Sequence, residues 1–255
     1  MELLVQGRRI AYECSSVNFD TSKMVLLFIH GSGGDSEDWR AQLDQLTMPE
    51  AVIALDLPGH GKSDPPGEES VSSYAHWVEQ FVVGLGLERV VLIGCSLGSA
   101  ITQWIALQPQ SWLVAIGLVG AGARLRVHPA MLDGLIKKPT EALQLLSDYC
   151  LSKSSSALLR RSIEEKYRHS DPQIVHGDLA ACDLFDVMDN VQKISVPTLI
   201  VVGQDDALTP VKYSEFLNNK IQGSNLVIIP NAGHLVMMEQ PNDFNMAVQN
   251  FLSGL

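Results

Sequence analysis

The chain has 255 residues, of which 46% are hydrophobic and 18% are charged. This composition excludes the disordered and fibrous classes, because there is enough apolar mass to offset the entropy lost when the backbone becomes ordered. Eighteen basic and 29 acidic side chains give a net charge of -11, which argues against nucleic acid as a partner.

Features that the sequence lacks limit further the class of protein that it can encode. No apolar run approaches the ~18 residues that a membrane-spanning helix needs, and the first residues lack the order of a signal peptide. The four cysteines are scattered without metal-ligand spacing, which favours reduced thiols over disulfides or zinc. We therefore expect a cytoplasmic protein with no membrane insertion, metal or cofactor.

Short apolar runs alternate with helical patterns along most of the chain. The first two runs, residues 2–6 and 8–14, meet at Gly7 and predict an antiparallel hairpin. Later runs lack period-two alternation, which is typical of parallel strands covered on both faces. These runs are residues 24–30, 51–56, 90–95, 113–119, 198–203 and 226–230. Helical patterns lie between them at residues 38–46, 71–85, 97–107, 211–219 and 241–252. The prediction is an α/β fold with a mostly parallel, doubly wound sheet of about eight strands.

Residues 123–193 interrupt this alternation. Leucines such as Leu132, Leu135, Leu143 and Leu146 recur at helical spacing, and the segment has no strand run. We expect several short helices inserted between two strands. The core would then comprise residues 1–122 and 194–255, with residues 123–193 as a separate helical unit.

A nucleophile is indicated at Ser96. Residues 94–98 read Gly-Cys-Ser-Leu-Gly and match the pattern G-x-S-x-G. They lie between a predicted strand and a predicted helix, which is the position where this pattern indicates a nucleophilic serine. Flanking glycines let the strand and the helix approach closely, and the helix N-terminus places free N–H groups beside the hydroxyl.

A serine needs a base, and the base needs an orienting carboxylate. His234 follows the last predicted strand, and the aspartates at residues 205–206 follow the strand before it. Both positions lie at carboxyl ends of strands, where sites of open α/β sheets form. The order serine, aspartate, histidine completes a candidate triad.

Residues 30–34, His-Gly-Ser-Gly-Gly, follow another strand and suit an oxyanion hole, which needs two backbone donors. We expect these donors to be the N–H groups of Ser32 and Leu97. His30 is interpreted as a structural residue and not as a base.

These segments resemble the α/β-hydrolase superfamily over nearly the whole chain. The matching sequences are HGSGG, DLPGHGKSD, GCSLG, GQDDALTP and NAGHLVMMEQP. The family pattern G-x-x-D-x-x-x-P selects Asp206 over Asp205, so the resemblance implies a Ser96–Asp206–His234 triad. It also implies that residues 123–193 are a helical cap that shapes the acyl pocket.

The resemblance favours a serine carboxylesterase that cleaves small or medium acyl esters through an acyl-enzyme, as a monomer or a homodimer. Serine at position 96 disfavours haloalkane dehalogenases and epoxide hydrolases, which use aspartate there. The HGSGG sequence also resembles carbon–carbon bond hydrolases of dienoic diketo acids, although Leu235 stands where they carry tryptophan. Lactonase, thioesterase, a menaquinone-pathway lyase and a non-catalytic ligand receptor on the same fold are further alternatives.

Overall fold

The computed structural model describes residues 1–47 and 50–255. These residues form one eight-stranded sheet in the order β1-β2-β4-β3-β5-β6-β7-β8. The strands are β1 (Glu2–Val5), β2 (Arg8–Cys14), β3 (Met24–Ile29), β4 (Ala51–Leu55), β5 (Arg89–Cys95), β6 (Leu113–Val119), β7 (Thr198–Gly203) and β8 (Asn225–Ile229). β1 and β2 form the antiparallel hairpin, β2 runs antiparallel to β4, and the strands from β3 to β8 are parallel. The predicted fold class is confirmed.

Ten α-helices occur in the described residues. They are α1 (Arg40–Gln45), α2 (Val71–Gly84), α3 (Leu97–Ala106), α4 (Pro129–Lys137), α5 (Pro139–Cys150), α6 (Ala157–His169), α7 (Pro172–Leu184), α8 (Val211–Lys220), α9 (Val236–Glu239) and α10 (Pro241–Leu252). Short 3-10 turns span Ser36–Trp39 and Val191–Lys193. The longest of these helices, α2, has 14 residues, and none is a candidate for a membrane span.

Two apolar layers enclose the central strands. Leu27 and Ile29 of β3 pack into one layer, and Leu26 and Phe28 pack into the other. Phe28 stacks on Trp39, with ring centroids 4.4 Å apart. Because both faces of the strand are covered, its sequence is continuously apolar and does not alternate.

Residues 123–193, called the helical insert below, contain α4 to α7 and lie between β6 and β7. Three of the four helices begin with proline, which suits the first helical position because its missing N–H needs no partner there. Near the two ends of the insert, residues 123–124 pair with residues 186–187, and this pairing is called the stem below. There Arg124 and Asp186 form an isolated antiparallel bridge, and the Val187 N–H donates to the Ala123 carbonyl over 2.8 Å.

Candidate active site

Ser96 lies at the turn between β5 and α3, with φ 55° and ψ -115°. This left-handed conformation is strained for a residue with a side chain. The turn is very tight, because a Cβ on Gly98 would collide with the carbonyl of Ile29 and a Cβ on Gly94 would collide with the carbonyl of Gly98. The Gly-x-Ser-x-Gly sequence is therefore required by the local backbone, which holds Ser96 at the carboxyl edge of the sheet.

His234 and Asp206 come from the loops after β8 and β7, and they meet in the folded chain. The distance between His234 Nδ1 and Asp206 Oδ2 is 2.9 Å. Thr209 Oγ1 donates to the same oxygen over 2.7 Å, and the backbone N–H groups of Leu208 and Thr209 donate to Oδ1. Both oxygens of Asp206 are thus held in place. Asp205 is exposed, so the carboxylate that the structure pairs with His234 is that of Asp206.

The electrostatics of this pair suit a general base. Burial disfavours the charged form of His234, but the Asp206 carboxylate outweighs it and holds the pKa of His234 above its usual 6.5. Burial raises the pKa of Asp206, yet His234 and the hydrogen bonds from Thr209 bring it below the ordinary value. Asp206 therefore stays ionised and accepts the Nδ1–H, which leaves Nε2 of neutral His234 free to take a proton.

The structure leaves the two expected oxyanion donors available. Leu97 is the first residue of α3, so its N–H has no acceptor within the helix. Within the described chain, neither this N–H nor that of Ser32 donates to a protein atom. Gly31 brings the Ser32 loop against the serine, since a Cβ on Gly31 would lie 3.2 Å from Ser96 Cβ.

His30 is a structural residue, as interpreted from the sequence. It is fully buried, and its Nε2 accepts the N–H of Leu57 over 3.1 Å. Its Nδ1–H therefore donates to the Gly31 carbonyl, 2.8 Å away. Burial lowers the pKa of His30 to about 3, so the ring is neutral and fixes the loop that leads to Ser32.

A cavity of about 670 Å³ lies over this edge of the sheet, and Ser32, Ser96 and His234 line it. Much of its remaining wall consists of apolar or aromatic residues of the helical insert, including Leu125, Val127, Met131, Leu145, Leu146 and Tyr149. Among the described residues, no hydrogen bond joins Ser96 Oγ to His234. Such bonds are often long before substrate binds and shorten in the complex. A concave, largely apolar cavity with a few polar groups at one end is typical of small-molecule sites.

Sequence reasoning missed two residues that fix this site. Thr209 stands three residues after Asp206, a spacing that can signal a side-chain turn. The Glu239 carboxylate accepts the N–H groups of Gly233 and Ser152, each over 2.8 Å, and so ties the His234 loop to the helical insert. No local pattern identifies Glu239, because Ser152 is distant in sequence.

The chain is similar to known proteins over most of its length. The family described as "alpha/beta hydrolase fold" matches residues 24–241. A pimeloyl-[acyl-carrier protein] methyl ester esterase of Neisseria meningitidis serogroup B is 26% identical over 259 residues, covering 92% of this chain and 95% of that protein. A 2-hydroxy-6-oxo-6-(2'-aminophenyl)hexa-2,4-dienoic acid hydrolase of Metapseudomonas resinovorans is 26% identical over 242 residues, covering 89% and 83% respectively.

A solved structure described as a thermophilic esterase superimposes with a TM-score of 0.88 at 34% identity, covering 100% of this chain and 97% of that one. Together these similarities support a hydrolase. The family match extends from β3 to the start of α10 and includes the segments that carry Ser96, Asp206 and His234. The chain therefore belongs to the α/β-hydrolase fold family.

Proposed function

We propose that the protein is a serine carboxylesterase that hydrolyses carboxylic esters of small or medium acyl groups through an acyl-enzyme. One observation carries this proposal. The strained Ser96 and the buried His234, which is paired with Asp206, line one largely apolar cavity, beside two backbone amides that have no acceptor among the described residues. These are the parts that acyl transfer needs: a nucleophile, a base with its orienting acid, and donors for the oxyanion.

In the acylation step, Ser96 Oγ attacks the ester carbonyl carbon while His234 Nε2 takes the hydroxyl proton. The carbonyl oxygen becomes an oxyanion that accepts hydrogen bonds from the Ser32 and Leu97 amides. Collapse of the tetrahedral intermediate breaks the bond to the alkoxy oxygen. The leaving alcohol takes the proton from His234, and the acyl group stays on Ser96.

Deacylation uses the same groups. Neutral His234 takes a proton from water, whose oxygen attacks the acyl-enzyme carbonyl, and the same two amides hold the second oxyanion. When this intermediate collapses, Ser96 recovers its proton from His234 and the carboxylic acid leaves. Asp206 remains ionised throughout and holds the imidazole in the tautomer with Nε2 unprotonated.

The helical insert serves as a cap in this proposal. It supplies most of the apolar wall of the cavity, while the nucleophile, the base and the acid all come from the sheet loops. A cavity of about 670 Å³ is within the range that small-molecule sites occupy, which supports a small or medium acyl substrate.

The direct test is a series of p-nitrophenyl esters from acetate to dodecanoate. We expect many turnovers per molecule, with a maximum of kcat/KM at a short or medium chain. Ser96→Ala is the control, and it should leave only background hydrolysis. A single release of p-nitrophenol per molecule, or none, would point to a ligand receptor and contradict the proposal.

A carbon–carbon bond hydrolase is the second candidate, because the Metapseudomonas resinovorans relative acts on a dienoic acid of this kind and matches 89% of the chain. Loss of the visible absorbance of a 2-hydroxy-6-oxo-dienoic acid measures that activity. A kcat/KM on this compound above that on every ester in the series would favour the second candidate.

A further inference from the structure

The peptide unit between Ser32 and Gly33 is held at both ends by side chains of the helical insert. Its carbonyl accepts a hydrogen bond from Tyr167 Oη of α6 over 3.0 Å. Its N–H donates to Asp178 Oδ2 of α7 over 2.9 Å. The sheet loop that carries the candidate oxyanion donor is therefore fixed by two residues that come more than 130 positions later in the chain.

Asp178 is itself held by hydrogen bonds. It is fully buried and accepts hydrogen bonds from Tyr74 Oη over 2.6 Å and from His60 Nε2 over 2.9 Å. His60 Nδ1 faces the Pro58 carbonyl at 3.1 Å, and a carbonyl can only accept. His60 Nδ1 therefore carries a hydrogen. Burial lowers the pKa of His60, but its contact with Asp178 outweighs burial and raises this pKa above its ordinary value, which favours hydrogen on both nitrogens.

Tyr167 packs against the same loop. Its side chain is 6% exposed, and a Cβ on Gly33 would lie 3.0 Å from its Cε1 atom. Gly33 has φ +67°, a conformation that glycine adopts without strain. The glycine thus makes room for the ring, which brings the hydroxyl to the Ser32 carbonyl.

The N–H of Ser32 belongs to the preceding peptide, one Cα atom away. Fixing the next peptide at both ends restricts rotation about the Cα–C bond of Ser32 and the N–Cα bond of Gly33, through which the loop could relax. A donor stabilises an oxyanion only when its direction is set before the reaction, and loss of one such donor costs about 10²–10³ in kcat. Small misplacements of reacting groups cost about 10²-fold.

We propose that Tyr167 and Asp178 are positioning residues that set the direction of the Ser32 oxyanion donor. The helical insert then takes part in transition-state stabilisation, in addition to forming the wall of the cavity. This inference rests on the proposed ester hydrolysis.

The test uses Tyr167→Phe and Asp178→Asn in the full chain. The first variant keeps the ring against Gly33 and removes only the hydroxyl. The second keeps the size of the side chain but puts an N–H₂ group among three donors. Tyr12→Phe is the matched control for the first, since Tyr12 is also 6% exposed and lies in β2. Asp183→Asn is the control for the second, because Asp183 also belongs to α7 and accepts a backbone N–H, that of Val127.

Active sites are first counted with a fluorophosphonate, so that kcat refers to reactive Ser96 and partial unfolding cannot imitate the effect. With p-nitrophenyl butyrate we expect kcat to fall on the order of 10- to 100-fold in both variants, with KM within about twofold of the wild type. The inhibition constant of a trifluoromethyl ketone, which forms an oxyanion on Ser96, should rise in parallel. Both controls should match the wild type.

A Tyr167→Phe variant with wild-type kcat per titrated site would overturn the inference, and so would a loss of kcat without weaker trifluoromethyl ketone binding. If Asp178→Asn does not fold, Tyr167→Phe alone decides. A wild-type protein that is neither labelled at Ser96 nor active on esters would instead refute the proposed function, so the two failures are distinguishable.

Discussion

Ser96 has a strained backbone directly after β5, and it lines the cavity. We expect Ser96→Ala to lower kcat for ester hydrolysis by about 10⁴–10⁶ and to leave the fold unchanged. Covalent labelling by a fluorophosphonate, followed by mass spectrometry, measures the same assignment directly. Labelling that persists on another residue of the variant would show that Ser96 is not the nucleophile.

The two neighbouring aspartates offer a matched comparison. Asp206 accepts the His234 Nδ1–H, whereas Asp205 is exposed. Asp206→Asn should lower kcat by about 10⁴, because the amide no longer selects the productive tautomer. Asp205→Asn should stay close to the wild type. Equal losses, measured as kcat on one ester, would contradict the pairing.

His234 should set the acidic limb of the pH profile. Its pKa lies above 6.5 because the Asp206 carboxylate outweighs the effect of burial. The base must be neutral to take the Ser96 proton, so kcat/KM should rise with pH through that raised pKa. A plot of kcat/KM against pH from 5 to 9 measures it. An acidic limb with its midpoint below 6.5 would contradict this assignment.

At this scale the sequence could identify residues whose role depends on a local turn. Ser96 lies between two glycines, and His234 and Asp206 lie just after strands, so their positions follow from neighbouring residues. Tyr167 and Asp178 could not be found in this way. Their partners Ser32 and Gly33 are 135 and 145 positions away, and spacing carries no signal over that distance.

At the scale of elements, helix α5 presents two leucines to different surroundings. Leu146 lines the cavity, whereas Leu143 is buried among apolar residues away from it. Leu146→Ala should raise kcat/KM for longer acyl esters relative to shorter ones, because it enlarges the acyl site. Leu146→Ala and Leu143→Ala should each lower the free energy of unfolding by about 2–5 kcal/mol.

The measurement is the chain-length profile of each variant, with labelling by a small fluorophosphonate as the test of an intact Ser96. Leu143→Ala is the control and should keep the wild-type profile despite its lower stability. Identical profiles in all three proteins would contradict a substrate-selecting role for the insert.

The elements themselves were largely predictable, because continuous apolar runs and helical periodicity are strong signals in a covered parallel sheet. The short helix α9 was not predicted. Its four residues make barely one turn, which is too short for any periodic pattern. The first turn of the helix predicted at residues 38–46 is 3-10, where the Asp35 side chain caps Ser36–Trp39.

At the scale of the whole molecule, the His60–Asp178 pair joins the core to the helical insert. Burial opposes the charge on His60, but Asp178 outweighs it and raises its pKa above 6.5. A raised pKa in the folded state means that the stabilisation is fully present below pH 6.5 and is lost as the pH rises through the raised value.

We therefore expect His60→Gln to lower the free energy of unfolding by about 3–5 kcal/mol at pH 6, and by less as the pH increases. Urea unfolding of wild type and variant between pH 6 and 10 measures the difference. His169→Gln is the control, because His169 lies in the helical insert and its side chain is exposed. A difference that stays constant or grows with pH would contradict the ionic pairing.

The stem of the insert has a consequence for how such a chain can change in length. Ala123 and Val187 are joined by a hydrogen bond, so the segment between them leaves and re-enters the core at one point. The entropy of closing such a loop grows only with the logarithm of its length, so residues added or removed beyond the stem change this entropy little. The β6–β7 register below the stem, which pairs Ile116 with Thr198, does not depend on that length. We expect residues 125–185, beyond the stem, to be exchangeable, and only exchanges that supply a hydroxyl and a carboxylate at the Ser32–Gly33 peptide would preserve its support.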